Sequence, residues 1–112
     1  MDKAQIIPSI RYRDCPSAIT WLCDVFDFEE YLTVPSHSGE ILHAQLVYND
    51  CMIMLGSAHE GDAFGKLNSS PMELAGQNTA SIYMVVANID AHYQKTIDKG
   101  TEIILDIKDE EY

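Results

Sequence analysis

The chain has 112 residues, and this length corresponds to one domain. Its content of 46% hydrophobic, 9% aromatic and 22% charged residues is that of a globular protein and excludes a disordered or collagen-like chain. Seven Lys and Arg residues against eighteen Asp and Glu residues give a formal net charge of −11. This charge excludes the basic footprint of a nucleic-acid-binding protein and disfavours an anionic membrane surface, whereas a cationic or neutral small molecule is compatible with it.

The cysteines and the N-terminal residues predict the cellular compartment. Cys15, Cys23 and Cys51 form an odd set without CxxC spacing, which is typical of free thiols in a reducing compartment. The N-terminus lacks a basic segment followed by an apolar run, and no stretch reaches the ~18 apolar residues of a membrane span. We therefore expect a cytoplasmic protein that binds no membrane.

The first half of the chain has the pattern of four strands and one helix. Apolar and β-branched residues predict strands over 6–12, 30–34, 42–48 and 51–55, with turns between the later ones. Apolar residues recur at helical spacing over 15–26, with Asp14 as the expected N-cap and Asp27 at the C-terminal end. The predicted order of this half is β-α-β-β-β.

The second half repeats the beginning of this pattern. We predict a strand over 80–86, a helix that Asn88 caps and Gly100 ends, and a strand over 102–107. Residues 58–78 are rich in Gly, Ser and Asn, which indicates a surface linker with one short helical turn at most. The predicted division of the single domain is a first module over 4–58, a linker over 59–79 and an incomplete second module over 80–112.

Four stretches, in this order, carry a family likeness: IPSIRYRD at 7–14, AITWL with FDF over 18–28, HAQL with CMIML over 43–55, and YMVVANIDAHY at 83–93. Together they resemble the vicinal oxygen chelate superfamily, which includes glyoxalase I, extradiol dioxygenases, and the fosfomycin- and bleomycin-resistance proteins. The resemblance implies an α+β fold in which paired β-α-β-β-β modules form a cleft in a curved, mixed sheet. The sequence departs from the family at Asp27, where Gly is usual. It also stops before the family's last two strands, so the second module is expected to be truncated.

The resemblance also implies where a catalytic metal ion would be held in the enzymes of the family. Those positions fall at Ile7 or Ser9, at Met54 and at Ser81, and the last one falls beyond Tyr112. None of the visible positions holds the His, Glu or Asp that would suit Fe, Mn, Ni or Zn. We therefore expect no cofactor and no catalytic residue, although a divalent metal stays possible.

Polar, aromatic and sulfur-containing residues on the predicted cleft strands are the candidate ligand-binding set. A site lined by Met and Tyr suits a flat, partly apolar molecule, and the competing interpretation is that the same side chains fill an unliganded sheet face. Arg11 either pairs with a carboxylate of the protein or clamps an anionic ligand group. Cys15 either packs in the core or, in the first turn of a helix, has a lowered thiol pKa. The candidate set is Arg11, His43, Tyr48, Met52, Met54, Ser81 and Tyr83.

The function that this resemblance favours is metal-free binding of a small molecule, as in the bleomycin-resistance branch, and the negative charge would attract a cationic drug. The alternatives are a metal-dependent lyase or dioxygenase of the same superfamily and an interaction module without a small ligand. We also expect a homodimer. The predicted strand over 102–107 would leave an apolar edge that pairs with another chain, together with the region of the first strand.

Overall fold

The computed structural model describes residues 4–58 and 63–111. Helix α1, Cys15–Phe26, has the predicted bounds. The Asp14 carboxylate accepts hydrogen bonds from the Ser17 backbone N–H at 3.2 Å and from its hydroxyl at 2.8 Å, so the predicted N-cap is confirmed. The helix ends at Asp27, whose φ of 62° is left-handed, and the N–H of Phe28 donates to the Leu22 carbonyl at 3.4 Å. Asp thus occupies the conformation that Gly adopts most easily.

Four strands form one mixed sheet in the order β1-β4-β3-β2. The strands are β1 Ser9–Tyr12, β2 Glu29–Pro35, β3 Ile41–Tyr48 and β4 Cys51–Ser57. Strand β1 runs parallel to β4, whereas β2–β3 and β3–β4 are antiparallel pairs. The order β-α-β-β-β and the α+β class with a mixed sheet are therefore confirmed.

Helix α1 covers one face of this sheet and forms the core with it. The buried side chains of the helix recur at helical spacing, and Ala44 and Leu46 on β3, like Ile53 and Leu55 on β4, alternate with less buried neighbours and face the helix. Ile41 is also buried, at the start of β3 where the register with β2 shifts. Tyr12, Cys23, Phe26 and Phe28 pack partly buried around the core. The core residues are Cys15, Ala18, Ile19, Leu22, Ile41, Ala44, Leu46, Ile53 and Leu55.

Two short helices follow the sheet where at most one helical turn was predicted. They are α2, Ala63–Leu67, and a 3-10 helix, Pro71–Leu74. The Ser70 hydroxyl, which is fully buried, donates to the Glu73 carboxylate at 3.1 Å before the 3-10 helix. Residues 59–62 of the predicted linker lie outside the described residues.

The chain divides into two compact units, Met1–Ser81 and Ile82–Tyr112. In the second unit, helix α3, Ile89–Asp98, begins after Asn88, whose side chain accepts from the Ala91 N–H at 3.1 Å, so this predicted cap is confirmed. The Tyr93 hydroxyl donates to the Asp106 carboxylate and so ties the segment after α3 to the helix. This bond lowers the pKa of Asp106.

The strands predicted over 80–86 and 102–107 are not formed. Their β-branched residues favour extended backbone, but a strand also needs a neighbour that takes up its N–H and C=O groups. In the described part of the chain these segments have no such neighbour, and Tyr83, Ile104 and Leu105 are largely exposed. The division into two modules joined by a linker stays a prediction.

In the described ranges, 4–58 and 63–111, no helix has the length and apolar character that crossing a membrane requires.

Candidate functional site

The sheet face opposite α1 carries the candidate site, and we call it the open face. Register across the strands places Ser9, Met54, Gln45 and Leu32 in one row on this face. Side chains two residues away along each strand share the same face because successive side chains alternate. The open face consists of Ser9 and Arg11 on β1, Met52, Met54 and Gly56 on β4, His43, Gln45 and Val47 on β3, and Glu29, Leu32 and Val34 on β2.

Four of the seven predicted ligand-binding residues lie on the open face: Arg11, His43, Met52 and Met54. Tyr48 does not, because it alternates with Val47 and so lies on the helix-covered side. Its ring centroid is 5.8 Å from that of Phe28, which packs against the core. Tyr48 is therefore a core neighbour in this structure, and a ligand-binding role for it stays a prediction.

The remaining two predicted residues lie outside the sheet. Ser81 is exposed at the end of the first unit, and the sheet does not carry it onto the open face. Tyr83 belongs to the second unit, where its side chain is 92% exposed. A ligand-binding role for either residue stays a prediction.

Arg11 is buried at one corner of the open face, with 8% of its surface exposed. Its Nη1 donates to the Ser57 carbonyl at 2.8 Å. Its Cζ lies 5.0 Å from the centroid of the Phe64 ring on α2, within the range of a cation–π interaction. The two partners that Arg11 has here are a neutral carbonyl and an aromatic ring, and a role for Arg11 toward an anionic ligand group stays a prediction.

The residues at the implied metal positions do not suit a divalent transition metal. Ser9 and Ile7 offer no anionic or imidazole ligand, Met54 offers a thioether, and Ser81 offers an exposed hydroxyl. In the described part of the chain, no group of three or more His, Cys, Asp or Glu side chains is arranged to hold a metal ion. We therefore derive no chemistry through a metal at these positions, and metal-free action stays a prediction.

Cys15 lies in the first turn of α1, where the helix dipole would lower its pKa, but burial has the larger effect. The side chain is fully buried in the core. Burial raises the pKa of the Cys15 thiol to about 11; Arg11 lowers this pKa, and Asp14 raises it. The thiol is therefore protonated at neutral pH and packs as an apolar group, which favours the core interpretation.

We expect Cys15 to make stability fall in alkaline solution. Its pKa is about 11 in the folded chain and 9.0 when unperturbed, so the contribution of the buried neutral thiol is complete below pH 9 and is lost as pH rises toward 11. The loss is at most about 2.7 kcal/mol, because one pKa unit corresponds to about 1.4 kcal/mol. Urea unfolding of wild type and Cys15→Ala from pH 8 to 11 measures it. The variant should show the smaller decline, and equal declines would contradict the prediction.

Seven residues of the open face were missing from the predicted ligand-binding set: Ser9, Glu29, Leu32, Val34, Gln45, Val47 and Gly56. Alternation along β3 was a signal that could have found Gln45 and Val47. Once Ala44 and Leu46 are core residues, positions 43, 45 and 47 must share the other face. Nothing in the sequence predicted the contact of Phe64 with Arg11, because Phe64 falls in the predicted linker.

Comparison with known proteins identifies relatives over most of the chain. A protein from Mycobacterium bovis, "Uncharacterized protein Mb0911c", is 28% identical over 103 residues, which are 92% of this chain and 66% of that protein. The chain thus spans less than two thirds of the length of this curated relative.

Two solved structures with low sequence identity have similar folds. TioX from Micromonospora sp. ML1 has a TM-score of 0.67 and 20% identity, and the match covers 98% of this chain and 83% of that one. A FosX fosfomycin resistance protein variant from Listeria monocytogenes, complexed with Mn(II) and a dihydroxypropylphosphonic acid, has a TM-score of 0.55 and 13% identity, covering 91% and 73%.

The family model described as "Glyoxalase/Bleomycin resistance protein/Dioxygenase superfamily" matches residues 5–112. This range includes every helix and strand of both units. The chain belongs to the glyoxalase/bleomycin resistance protein/dioxygenase superfamily.

Proposed function

We propose that the open face binds a small, partly apolar molecule without a metal ion. The observation that carries this proposal is the apolar character of a sheet face that α1 leaves uncovered. Met52, Met54 and Val47 are half-buried, and Leu32 and Val34 are 44% and 38% exposed. A contiguous apolar surface of this kind is typical of a ligand or partner site, and methionines adapt to irregular ligands.

The polar groups of this face would orient such a ligand. His43 and Gln45 follow each other at alternate positions of β3, with Ser9 in the same row as Gln45 and Met54. Their hydroxyl, amide and imidazole groups can both donate and accept hydrogen bonds. A flat molecule with a few polar substituents would fit this combination better than a pure hydrocarbon.

The cationic drug expected from the net charge is not part of this proposal. The net charge describes the whole chain, whereas the buried charge on the open face is the guanidinium of Arg11. Local groups decide how a ligand is held, and the net charge mainly affects how often it arrives.

A fluorescence titration with the neutral probe N-phenyl-1-naphthylamine tests the proposal. Met54→Gln should weaken binding about tenfold, because loss of one buried apolar contact costs about 1.4 kcal/mol. The matched control is Ile6→Gln, since Ile6 is 97% exposed and outside the sheet. The control should stay within twofold of wild type, and equal effects of the two variants would contradict the proposal.

Two measurements on the purified wild-type protein distinguish the alternative functions. A stoichiometric transition metal that survives dialysis of protein purified without chelators would favour the metal-dependent lyase or dioxygenase. Absence of binding to any small probe would favour an interaction module.

The homodimer is also proposed. Strand β1 is an edge of the four-stranded sheet, and the second unit exposes apolar residues over 103–107. Unpaired edges and apolar segments favour association with a second copy. Because a net charge of −11 repels an identical chain, the contact should be apolar and persist in high salt. Sedimentation at micromolar concentration should give a dimer, and a 12.6 kDa species in both low and high salt would contradict it.

A further inference from the structure

The guanidinium of Arg11 is a buried charge whose partners are neutral. Its Nη1 donates to the Ser57 carbonyl, and the Phe64 ring lies against its Cζ. In the described part of the chain, no carboxylate lies within the 4.0 Å of an ion pair with Arg11. No buried side-chain nitrogen or oxygen of the described residues lacks a hydrogen-bond partner, so what the guanidinium lacks is an opposite charge. Burial of a charge without an opposite charge is costly, and an anionic oxygen group would supply one.

The fold keeps room for this guanidinium at the edge of the open face. Gly56 is the register partner of Arg11 on β4, and a Cβ there would lie 3.2 Å from Nη1 and 3.3 Å from the Leu42 carbonyl oxygen. A side chain at this position would therefore displace the guanidinium. Phe64, which is 52% exposed, covers the group from the other side.

The acidic residue of the open face lies far from this corner. Glu29 lies in the row of Val47 and Met52, at the opposite edge strand. Four residues along the strands and three strand spacings separate it from Arg11, roughly 19 Å. An anionic group at the Arg11 corner would meet little repulsion from Glu29 at that distance.

We propose that the ligand of the open face carries an anionic oxygen group, such as a carboxylate, sulfonate or phosphate, and that Arg11 binds this group when the Phe64 ring moves aside. The proposal rests on the small-molecule function proposed above. The planar guanidinium can donate two parallel hydrogen bonds to such a group. The apolar body of the ligand would lie over Met54 in the adjacent row, two residues along β4 from Gly56.

Two probes with the same aromatic body test this inference: 1-anilinonaphthalene-8-sulfonate, which is anionic, and neutral N-phenyl-1-naphthylamine. Wild type should bind the sulfonate at least tenfold more tightly. Arg11→Gln should lower the affinity for the sulfonate at least tenfold and leave the neutral probe within twofold. Arg11→Lys should retain an intermediate preference for the sulfonate.

The ratio of the affinities for the two probes controls for a variant that is merely unstable, because instability would weaken the binding of both probes. Equal binding of the probes by wild type, or an equal loss of both in Arg11→Gln, would overturn the anion site while the small-molecule function stands. Failure of wild type to bind either probe would overturn the proposed function itself.

Phe64→Ala tests the movement of the ring. It should raise the affinity for the sulfonate at least threefold, because the guanidinium becomes accessible, and an unchanged or lower affinity would contradict this step. Glu60 and Asp62 lie outside the described residues, so their joint neutralisation, Glu60→Gln with Asp62→Asn, is the control for an internal counter-ion. The probe ratio should stay within twofold, and a tenfold gain for the sulfonate would overturn the proposal.

Discussion

Leu46→Ala should lower the free energy of unfolding of the first unit by about 2–5 kcal/mol. Leu46 is fully buried on the central strand β3, where its register partner on β4 is the core residue Ile53. Truncation removes apolar contacts from both α1 and the sheet and leaves a cavity that strands on either side hold open. The loss would be a large fraction of the stability that a small domain has.

Leu42→Ala is the matched control, because it makes the same change on the same strand at a side chain that is 55% exposed. Its effect should stay within about 1 kcal/mol, since little buried surface is lost. Urea unfolding followed by the fluorescence of Trp21, the single tryptophan, reports on α1 and therefore on the first unit. If both variants lost the same free energy of unfolding, α1 would not cover the sheet face on which the Leu46 side chain lies.

Gly56→Val should lower stability by about 1–3 kcal/mol through overpacking. The new Cβ would lie 3.2 Å from Arg11 Nη1 and 3.3 Å from the Leu42 carbonyl oxygen, and the second of these is backbone that cannot turn away. The displaced guanidinium would also lose its hydrogen bond to the Ser57 carbonyl. Valine has a high strand propensity, so a loss of stability in this variant would be due to crowding at position 56 and not to an unfavourable strand residue.

Ser9→Val is the control for this substitution, because Ser9 is exposed on the neighbouring strand and faces the same side of the sheet. Thermal unfolding of both variants measures the difference, and Ser9→Val should change stability by less than about 0.5 kcal/mol. A Gly56→Val variant as stable as wild type would mean that Arg11 does not occupy the space over Gly56.

The first unit was predictable from the sequence because its signals are local. Asp14 and Pro16 mark the start of α1, apolar residues at helical spacing continue it, and Asp27 ends it. The strands from Glu29 onward each have a partner close in sequence, since β2, β3 and β4 are joined by turns. Local signals and local pairing agree here, which is why the predicted bounds are close to the observed ones.

The predicted strands of the second half failed because their signal is incomplete. Residues 80–86 and 102–107 have strand composition, but composition does not supply a pairing partner. The helix between them was predictable, since Asn88 and Gly100 mark its ends and need no distant contact.

The composition of the open face was predictable only in part, for physical reasons. Met52 and Met54 are two residues apart on β4, so their side chains lie on the same face of the sheet. His43 and Tyr48 are five residues apart on β3, so a regular strand places them on opposite faces. The burial of Arg11 beneath Phe64 depends on a contact between residues far apart in sequence, within a segment whose composition predicts only a loop.

Methyl NMR of the methionines tests the central claim most directly, that the open face binds a small molecule. The chain has five methionines, of which Met52 and Met54 lie on the open face, Met72 on the 3-10 helix and Met84 in the second unit. Titration with N-phenyl-1-naphthylamine should shift the Met52 and Met54 methyl signals, because the aromatic ring would lie against them. Single Met→Leu substitutions assign the signals. Shifts confined to Met72 or Met84, or unchanged Met52 and Met54 signals at saturating probe, would contradict the account.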